Sequence, residues 1–131
     1  FRPVTQREID SGRLHPEPYR LEEAASMEIR RARENGGRVV AVGTTVCRTL
    51  EHISSKYGDI RADCGVTDLF IREGFGFRAV DALLTNFHLP RTSLLMLVHA
   101  FGGHELLMNA YREAVRKEFR FYSFGDAMLI L

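Results

Sequence analysis

Val39-Val40-Ala41-Val42-Gly43-Thr44-Thr45 decides how the rest of this chain is read. Its first four residues form a short, continuous, largely β-branched apolar run, the pattern of a buried strand of the parallel kind. Ahead of it, between Leu21 and Asn35, the residues Leu21, Ala25, Ile29 and Ala32 recur at spacings of four and three, one face of an amphipathic helix. Glu22 and Glu23 open that helix, Arg30, Arg31 and Arg33 come near its end, and Gly36-Gly37 stops it, as the helix dipole and C-cap chemistry favour. After the run, Gly43 turns the chain into a second helical pattern through Val46, Leu50 and Ile53. Helix, strand, tight turn, helix is α/β grammar.

The flanks extend the same reading. Residues 1–20 hold Pro3, Pro16 and Pro18 and read as loop and extended chain, with a short strand around Tyr19. From 58 to 78, glycines and charges surround one apolar stretch, Leu69-Phe70-Ile71. Ala82 to Thr85 is a second strand candidate, followed by Asn86-Phe87-His88-Leu89-Pro90. Thr92 or Ser93 then caps a helix from Leu94 to Phe101 that is apolar on every side, which predicts a central, buried position. A further helix over 104–118 turns Leu107, Ala110, Tyr111 and Ala114 inward, and Asp126 to Leu131 reads as a strand that closes the sheet. The expectation is a single α/β domain over residues 1–131, a layered sheet, parallel or mixed, flanked by helices.

Composition narrows the function classes. At 131 residues the chain can build a core without disulfides or metal. Eighteen Lys+Arg against seventeen Asp+Glu leave a net charge of +1, so any attraction for nucleic acid must come from a local patch. No apolar run reaches the length of about 18 residues that a membrane-spanning helix needs. Cys47 and Cys64 have no C-x-x-C spacing and no histidine at ligand spacing, so no metal site is expected, and two free thiols fit a cytoplasmic protein. Phe1, with nothing like a signal peptide after it, reads as the start of a segment of something longer.

Three groupings can carry chemistry. Gly43-Thr44-Thr45 stands where a strand end becomes a helix start, where free N–H groups and threonine hydroxyls hold a carboxylate or phosphate, and Arg48 is one turn further in; a simple helix cap is the competing reading. Asn86-Phe87-His88 occupies the same kind of position and adds an imidazole, the natural proton-transfer group near neutral pH; a packed ring and a carbonyl-bound histidine compete with that. Asp68, Asp81 and Asp126 each edge an apolar strand and either serve as bases and ribose clamps or cap turns. His15-x-Glu17 shares one strand face but lacks a third metal ligand, and the basic, aromatic stretch from Arg116 to Phe124 either stacks on RNA or belongs to the core.

Gly43-Thr44-Thr45-Val46 with Arg48-Thr49-Leu50-Glu51 resembles the GTTV-x-RTLE motif of the S-adenosylmethionine:tRNA ribosyltransferase-isomerases of queuosine biosynthesis. The same family is matched by Thr67-Asp68-Leu69-Phe70-Ile71, Asp81, Thr85-Asn86-Phe87-His88-Leu89-Pro90 and Leu94-Leu95-Met96-Leu97-Val98. So it is by Arg120-Phe121, Ser123 and Gly125-Asp126-Ala127-Met128, and by Phe1 to Val4 as the tail of a G-T-F-x-P-V motif. Glu73 where the family shows proline, the order Thr92-Ser93, and His99 in place of a small residue depart from the pattern without removing a functional group.

The resemblance implies the C-terminal part of a larger two-domain enzyme, without the family's N-terminal portion and inserted β-barrel. It implies transfer and isomerisation of the ribosyl group of S-adenosylmethionine, a co-substrate, onto 7-aminomethyl-7-deazaguanine at the tRNA wobble position, leaving adenine and methionine. The sulfonium acidifies the ribose C5′–H, so the reaction needs a base, a clamp for the methionine end and a flipped-out nucleotide. On this chain His88 becomes the acid/base, Asn86 its companion and Asp68 a reserve. Gly43, Thr44, Thr45 and Arg48, with Phe87 and Asp81, become the binding set. A cytoplasmic monomer with no metal, no permanently bound cofactor and no membrane contact is expected. The alternatives are a methyltransferase-like domain, against which the absence of G-x-G-x-G after the strand speaks, and a binding module that is inactive as an isolated fragment.

Overall fold

The computed structural model describes residues 3–131; Phe1 and Arg2, where the resemblance to the G-T-F-x-P-V motif starts, lie outside the described residues. In chain order the elements are α1 (Gln6–Ser11), β1 (Arg13–Leu21), α2 (Glu23–Glu34), β2 (Val40–Val42), α3 (Thr44–Tyr57), β3 (Asp63–Leu69), β4 (Ala82–Asn86), α4 (Ser93–Gly102), α5 (His104–Arg116) and β5 (Ala127–Ile130).

The stretch that decides the fold does what its pattern asks. β2 runs parallel to β4, Val40 opposite Ala82 and Val42 opposite Leu84. β5 adds antiparallel on the other side of β4, Leu83 opposite Ile130, so the sheet β2-β4-β5 is mixed. β1 and β3 pair antiparallel as a separate two-stranded ribbon. α3 packs between the two sheets, touching β1, β2, β3 and β4. Its Cys47, Leu50 and Ile53 meet Ile60, Ile71, Leu83 and Val98 in one buried cluster. Ile53 and Ile60 are fully buried, which stabilises the fold by about 1.5–3 kcal/mol each.

Three local expectations are corrected. β2 is buried on one face only: Ala41 points inward, while Val40 and Val42 are 48% and 64% exposed, because β2 is a sheet edge and strand side chains alternate. α4 buries only Leu97 and Val98; its other side chains are half-buried, since they line clefts as well as core. On α2, Ala25 and Ala32 are exposed and the inward line is Ser26 and Ile29. Ser26 is small enough to let the helix approach, and Arg33 Nη2 ties the far end to the Arg78 carbonyl at 2.8 Å.

Two elements go beyond the sequence reading. α1 begins with a capping box, Thr5 and Glu8 each accepting from the other's backbone N–H, and ends at Gly12 in the left-handed region. β3 contains Gly65 and exposes Cys64 and Val66, so it has no strand pattern of its own. Its pairing with β1 creates it, and Tyr19 lies over Gly65 and donates from Oη to Asp63 at 2.7 Å. β1 is longer than expected despite its prolines, which fall at or beside the register irregularity between Arg13 and Glu17.

Candidate functional site

Two strand ends face the same way. Because β2 and β4 are parallel, Gly43 and the residues after Asn86 leave the sheet on one side, and the helices that follow, α3 and α4, both present N-termini there. Open α/β sheets bind ligands outside these carboxyl ends. Gly43 is at φ 96, a conformation that glycine adopts without strain, and its N–H is used, donating to the Leu84 carbonyl at 2.8 Å. No side chain caps α3, so its first-turn N–H groups stay open. α4 is capped by Thr92, whose Oγ1 accepts from the Leu95 N–H at 3.2 Å.

Around these termini lie three adjoining recesses. Thr44, Thr45 and Arg48 of α3, Ser93, Leu94 and Leu97 of α4, and Leu14 and Glu17 of β1 line an inner one. It opens into a cleft of about 380 Å³ that shares Leu14, Glu17, Arg48, Ser93 and Leu94 and adds Glu8, His15 and Thr92. A third recess, of about 200 Å³, holds His88, Leu89, Thr92, Leu94 and Tyr122. Thr92 and Leu94 therefore stand between the Arg48 cleft and the His88 recess and belong to both.

Arg48 is buried and ion-paired through Nη2 with Glu17, whose own side chain is half-exposed. Its Nε is buried without a hydrogen-bond partner. Burial pushes the guanidinium's pKa down from its ordinary value, and it remains a cation, as arginine does in proteins. His88 is half-buried; its backbone N–H donates to Tyr111 Oη at 2.8 Å and its Nε2 is hydrogen bonded to Thr85 Oγ1 at 2.8 Å. Burial lowers its pKa, which favours the neutral ring, and burial raises that of Tyr111. When the ring proton sits on Nε2 it goes to Thr85, and the Nδ1 lone pair is left to take a proton from a ligand.

The other named residues separate. Asn86 Nδ2 donates to the Asp126 carbonyl at 3.1 Å and so fastens β4 to β5 next to His88. Phe87 is buried edge-on to Tyr111 and Phe119 and tilted against Phe121, so its ring packs among aromatic neighbours. Asp68 is paired with Arg13 at 3.0 Å on the β1–β3 ribbon and lines, with Arg7, a neighbouring cleft that shares Glu8, Leu14 and His15 with the Arg48 cleft. Asp81 accepts from the Val39 N–H at 2.7 Å, at the opposite end of β2 and β4 from Gly43. Asp126 accepts from the Arg120 backbone N–H, the main reason its pKa lies low, and closes a turn. Among the described residues no three His, Cys, Asp or Glu side chains gather as metal ligands.

Glu17 and Tyr122 are the additions. Glu17 carries no motif beyond H-x-E, and only the pairing of β1 brings it to Arg48. Tyr122 is 45% exposed beside His88 and sits at φ 61, a strained conformation for a side-chain-bearing residue that is often found at functional sites.

A family model described as queuosine biosynthesis protein matches residues 1–130. The chain is 56% identical over 131 residues to an S-adenosylmethionine:tRNA ribosyltransferase-isomerase of Moorella thermoacetica, and spans 38% of it. Proteins of the same name from Symbiobacterium thermophilum and Trichlorobacter lovleyi are 53% and 51% identical over the whole chain, which again spans 38% of each. The crystal structure of S-adenosylmethionine tRNA ribosyltransferase from Thermotoga maritima matches with a TM-score of 0.82 at 54% identity, over 87% of this chain and 40% of that one.

Proposed function

The chain belongs to the queuosine biosynthesis protein family, and we propose that it supplies the cofactor-handling part of an S-adenosylmethionine:tRNA ribosyltransferase-isomerase. The complete enzyme transfers and isomerises the ribosyl group of S-adenosylmethionine onto 7-aminomethyl-7-deazaguanine in the anticodon of a tRNA, in the cytoplasm, and releases adenine and methionine. One observation carries the reading: the Arg48 cleft and the His88 recess share the wall formed by Thr92 and Leu94. A single elongated ligand can lie along that wall with an anionic end at Arg48 and a reacting carbon near the imidazole.

In this arrangement Gly43, Thr44, Thr45 and Arg48 hold the methionine carboxylate or a tRNA phosphate at the open start of α3. His88 takes the proton from the carbon next to the sulfonium, and Asn86 keeps the His88 loop fastened to the sheet. Tyr122, exposed on the far side of the recess, offers a face on which a flipped-out base stacks.

The test is a chimera in which this chain replaces the matching 131 residues of the Moorella thermoacetica relative. Incubated with S-adenosylmethionine and tRNA bearing the aminomethyl base, it is expected to release adenine and methionine in equal amounts. Release of S-adenosylhomocysteine instead would assign the site to methyl transfer. The chain by itself, with 38% of the relatives' length, is expected to show no turnover.

A further inference from the structure

We propose that His99 and His104 form a two-histidine chelate for a divalent transition-metal ion of the nickel or copper class, at the corner between α4 and α5. His99 is in the last turn of α4 and His104 opens α5, with Gly102 and Gly103 between them. Gly103 sits at φ 84, which glycine adopts without strain. Its N–H donates to the His99 carbonyl at 2.9 Å, and its carbonyl accepts from the Leu107 N–H at 3.1 Å. A Cβ at Gly102 would come within 2.1 Å of the Leu107 side chain and 3.1 Å of that of Ile130, so the corner closes tightly. Backbone bonds and close packing thus hold the bend, and none of them involves an imidazole. The bend brings two residues five apart together, with His99 Nδ1 and His104 Nδ1 at 3.0 Å on an exposed part of the surface. Neither ring lines the Arg48 cleft, the inner recess or the His88 recess, so this site is independent of the reading above.

The bite selects the ion. Two nitrogens 3.0 Å apart, each about 2.0–2.1 Å from one ion, subtend about 90–95° at it. That is the cis angle of square-planar or octahedral coordination, which suits copper(II) and nickel(II), and it is narrower than the tetrahedral angle of zinc sites. The ring planes stand at 80°, so the imidazoles do not stack against each other. His99 Nε2 is buried without a partner, which leaves Nδ1 as the nitrogen of that ring for an ion to bind. Burial, and after it the nearby His104, holds the His99 pKa below its ordinary value, and a neutral ring is what a metal ligand must be. When the shared proton belongs to His104, coordination shifts it to Nε2 of that exposed ring, and no proton leaves the neutral pair. Among the described residues no third His, Cys, Asp or Glu joins the pair, so water completes the shell. Affinity then comes from a bend that is already set, since little freedom is lost on binding. A bound ion fastens α4 to α5, the helix whose Tyr111 Oη accepts the His88 N–H.

The test titrates nickel(II) chloride into the untagged 131-residue chain by calorimetry, beside His99→Ala and His104→Gln. One site per chain is expected. Either substitution is expected to weaken it by about tenfold or more, because even loss of a group that only orients a ligand costs about 10–100-fold. His104→Gln is the safer variant for the fold, since His104 is exposed and glutamine still hydrogen bonds. Copper(II) adds a readout that a merely structural pair does not give: electron paramagnetic resonance splitting from two ring nitrogens in the intact chain, and from one in either variant. At a hundredfold excess over its Kd, nickel is expected to raise Tm by about 5–10 °C in the intact chain and by much less in the variants. The same loss of affinity is expected in the chimera whether or not it releases adenine, so failure of ribosyl transfer leaves this test standing. Absence of nickel binding overturns the site, as does tighter binding of zinc than of nickel. Equal affinity in all three proteins also overturns it, and assigns the ion to His15, His52 or His88.

Discussion

At the start of β2 and β4 the polar groups are saturated, while at the finish of the same two strands they are not. Near the start, the fully buried Glu51 carboxylate accepts from the backbone N–H groups of Arg78, Ala79 and Val80, each at 3.0 Å, and Asp81 accepts from Val39. Near the finish, Arg48 keeps a buried donor without a partner, α3 begins without a side-chain cap, and His88 borders a recess. Both ends bury charge, Glu51 and Arg48, three residues apart on α3. The difference is whether the hydrogen-bonding capacity is used up inside the chain. Where it is, the charge holds a loop in place; where it is not, as at Arg48, a buried donor is left without a partner.

The largest loss is expected at Glu51. Glu51→Ala leaves three N–H groups of the loop before β4 without an acceptor, and is expected to cost about 3–5 kcal/mol. In a chain of this size that lowers Tm by about 10 °C or more in a thermal melt. Arg48→Gln is expected to lower it by less than half as much, since the Glu17 left behind is half-exposed and regains water. Equal losses in the two variants would mean that both ends of the strands are structural.

At the other end of the strands, the expected effect of His88 is on turnover. His88→Ala in the chimera is expected to reduce turnover about a hundredfold or more, the usual loss for a general base, and a reduction of only a few-fold removes it from that role. Because burial lowers the His88 pKa, the ring is already neutral at pH 7, so turnover is flat there and falls on acidification through the lowered pKa. Stability moves with the same sign. Between that lowered value and the ordinary 6.5 the unfolded chain binds the proton more readily than the folded one, so acid in this window destabilises the protein.

Both strand ends look alike in the sequence, and the reason is physical. Val39 to Thr45 and Ala82 to Asn86 announce their strands by unbroken apolar runs, and the turn into α3 follows from a glycine before a helical repeat. Thr5-x-x-Glu8 was a readable capping signal ahead of a short helix, hidden by the prolines around it. β3 was not readable, because Asp63-Cys64-Gly65 has neither alternation nor an apolar run and becomes a strand only against β1. For the site, motif residues such as Gly43, Arg48 and His88 could be picked out by type and position. Whether a charged group is spent or open depends on partners dozens of residues away: Glu51 on Arg78 to Val80, Arg48 on Glu17. Spacing carries no record of those partners, so Asp81 and Arg48 looked equally eligible.

Asp81 gives the smallest effect and the cleanest separation of the two ends. Its carboxylate accepts one backbone N–H, from Val39 at 2.7 Å, and its own N–H donates back to the Val39 carbonyl at 2.9 Å. Asp81→Asn keeps an acceptor oxygen at nearly the same place and removes only the charge that strengthens the bond, so the cost is expected near 1 kcal/mol, about 3 °C in Tm. Turnover of the chimera is expected to stay within twofold, since the side chain lies at the opposite end of the strands from His88 and Arg48. A loss approaching that of His88→Ala, with Tm unchanged, would return Asp81 to the binding set. The saturated end would then have to reach the ligand across the length of β4, which a side chain of that size cannot do without the strand pair coming apart.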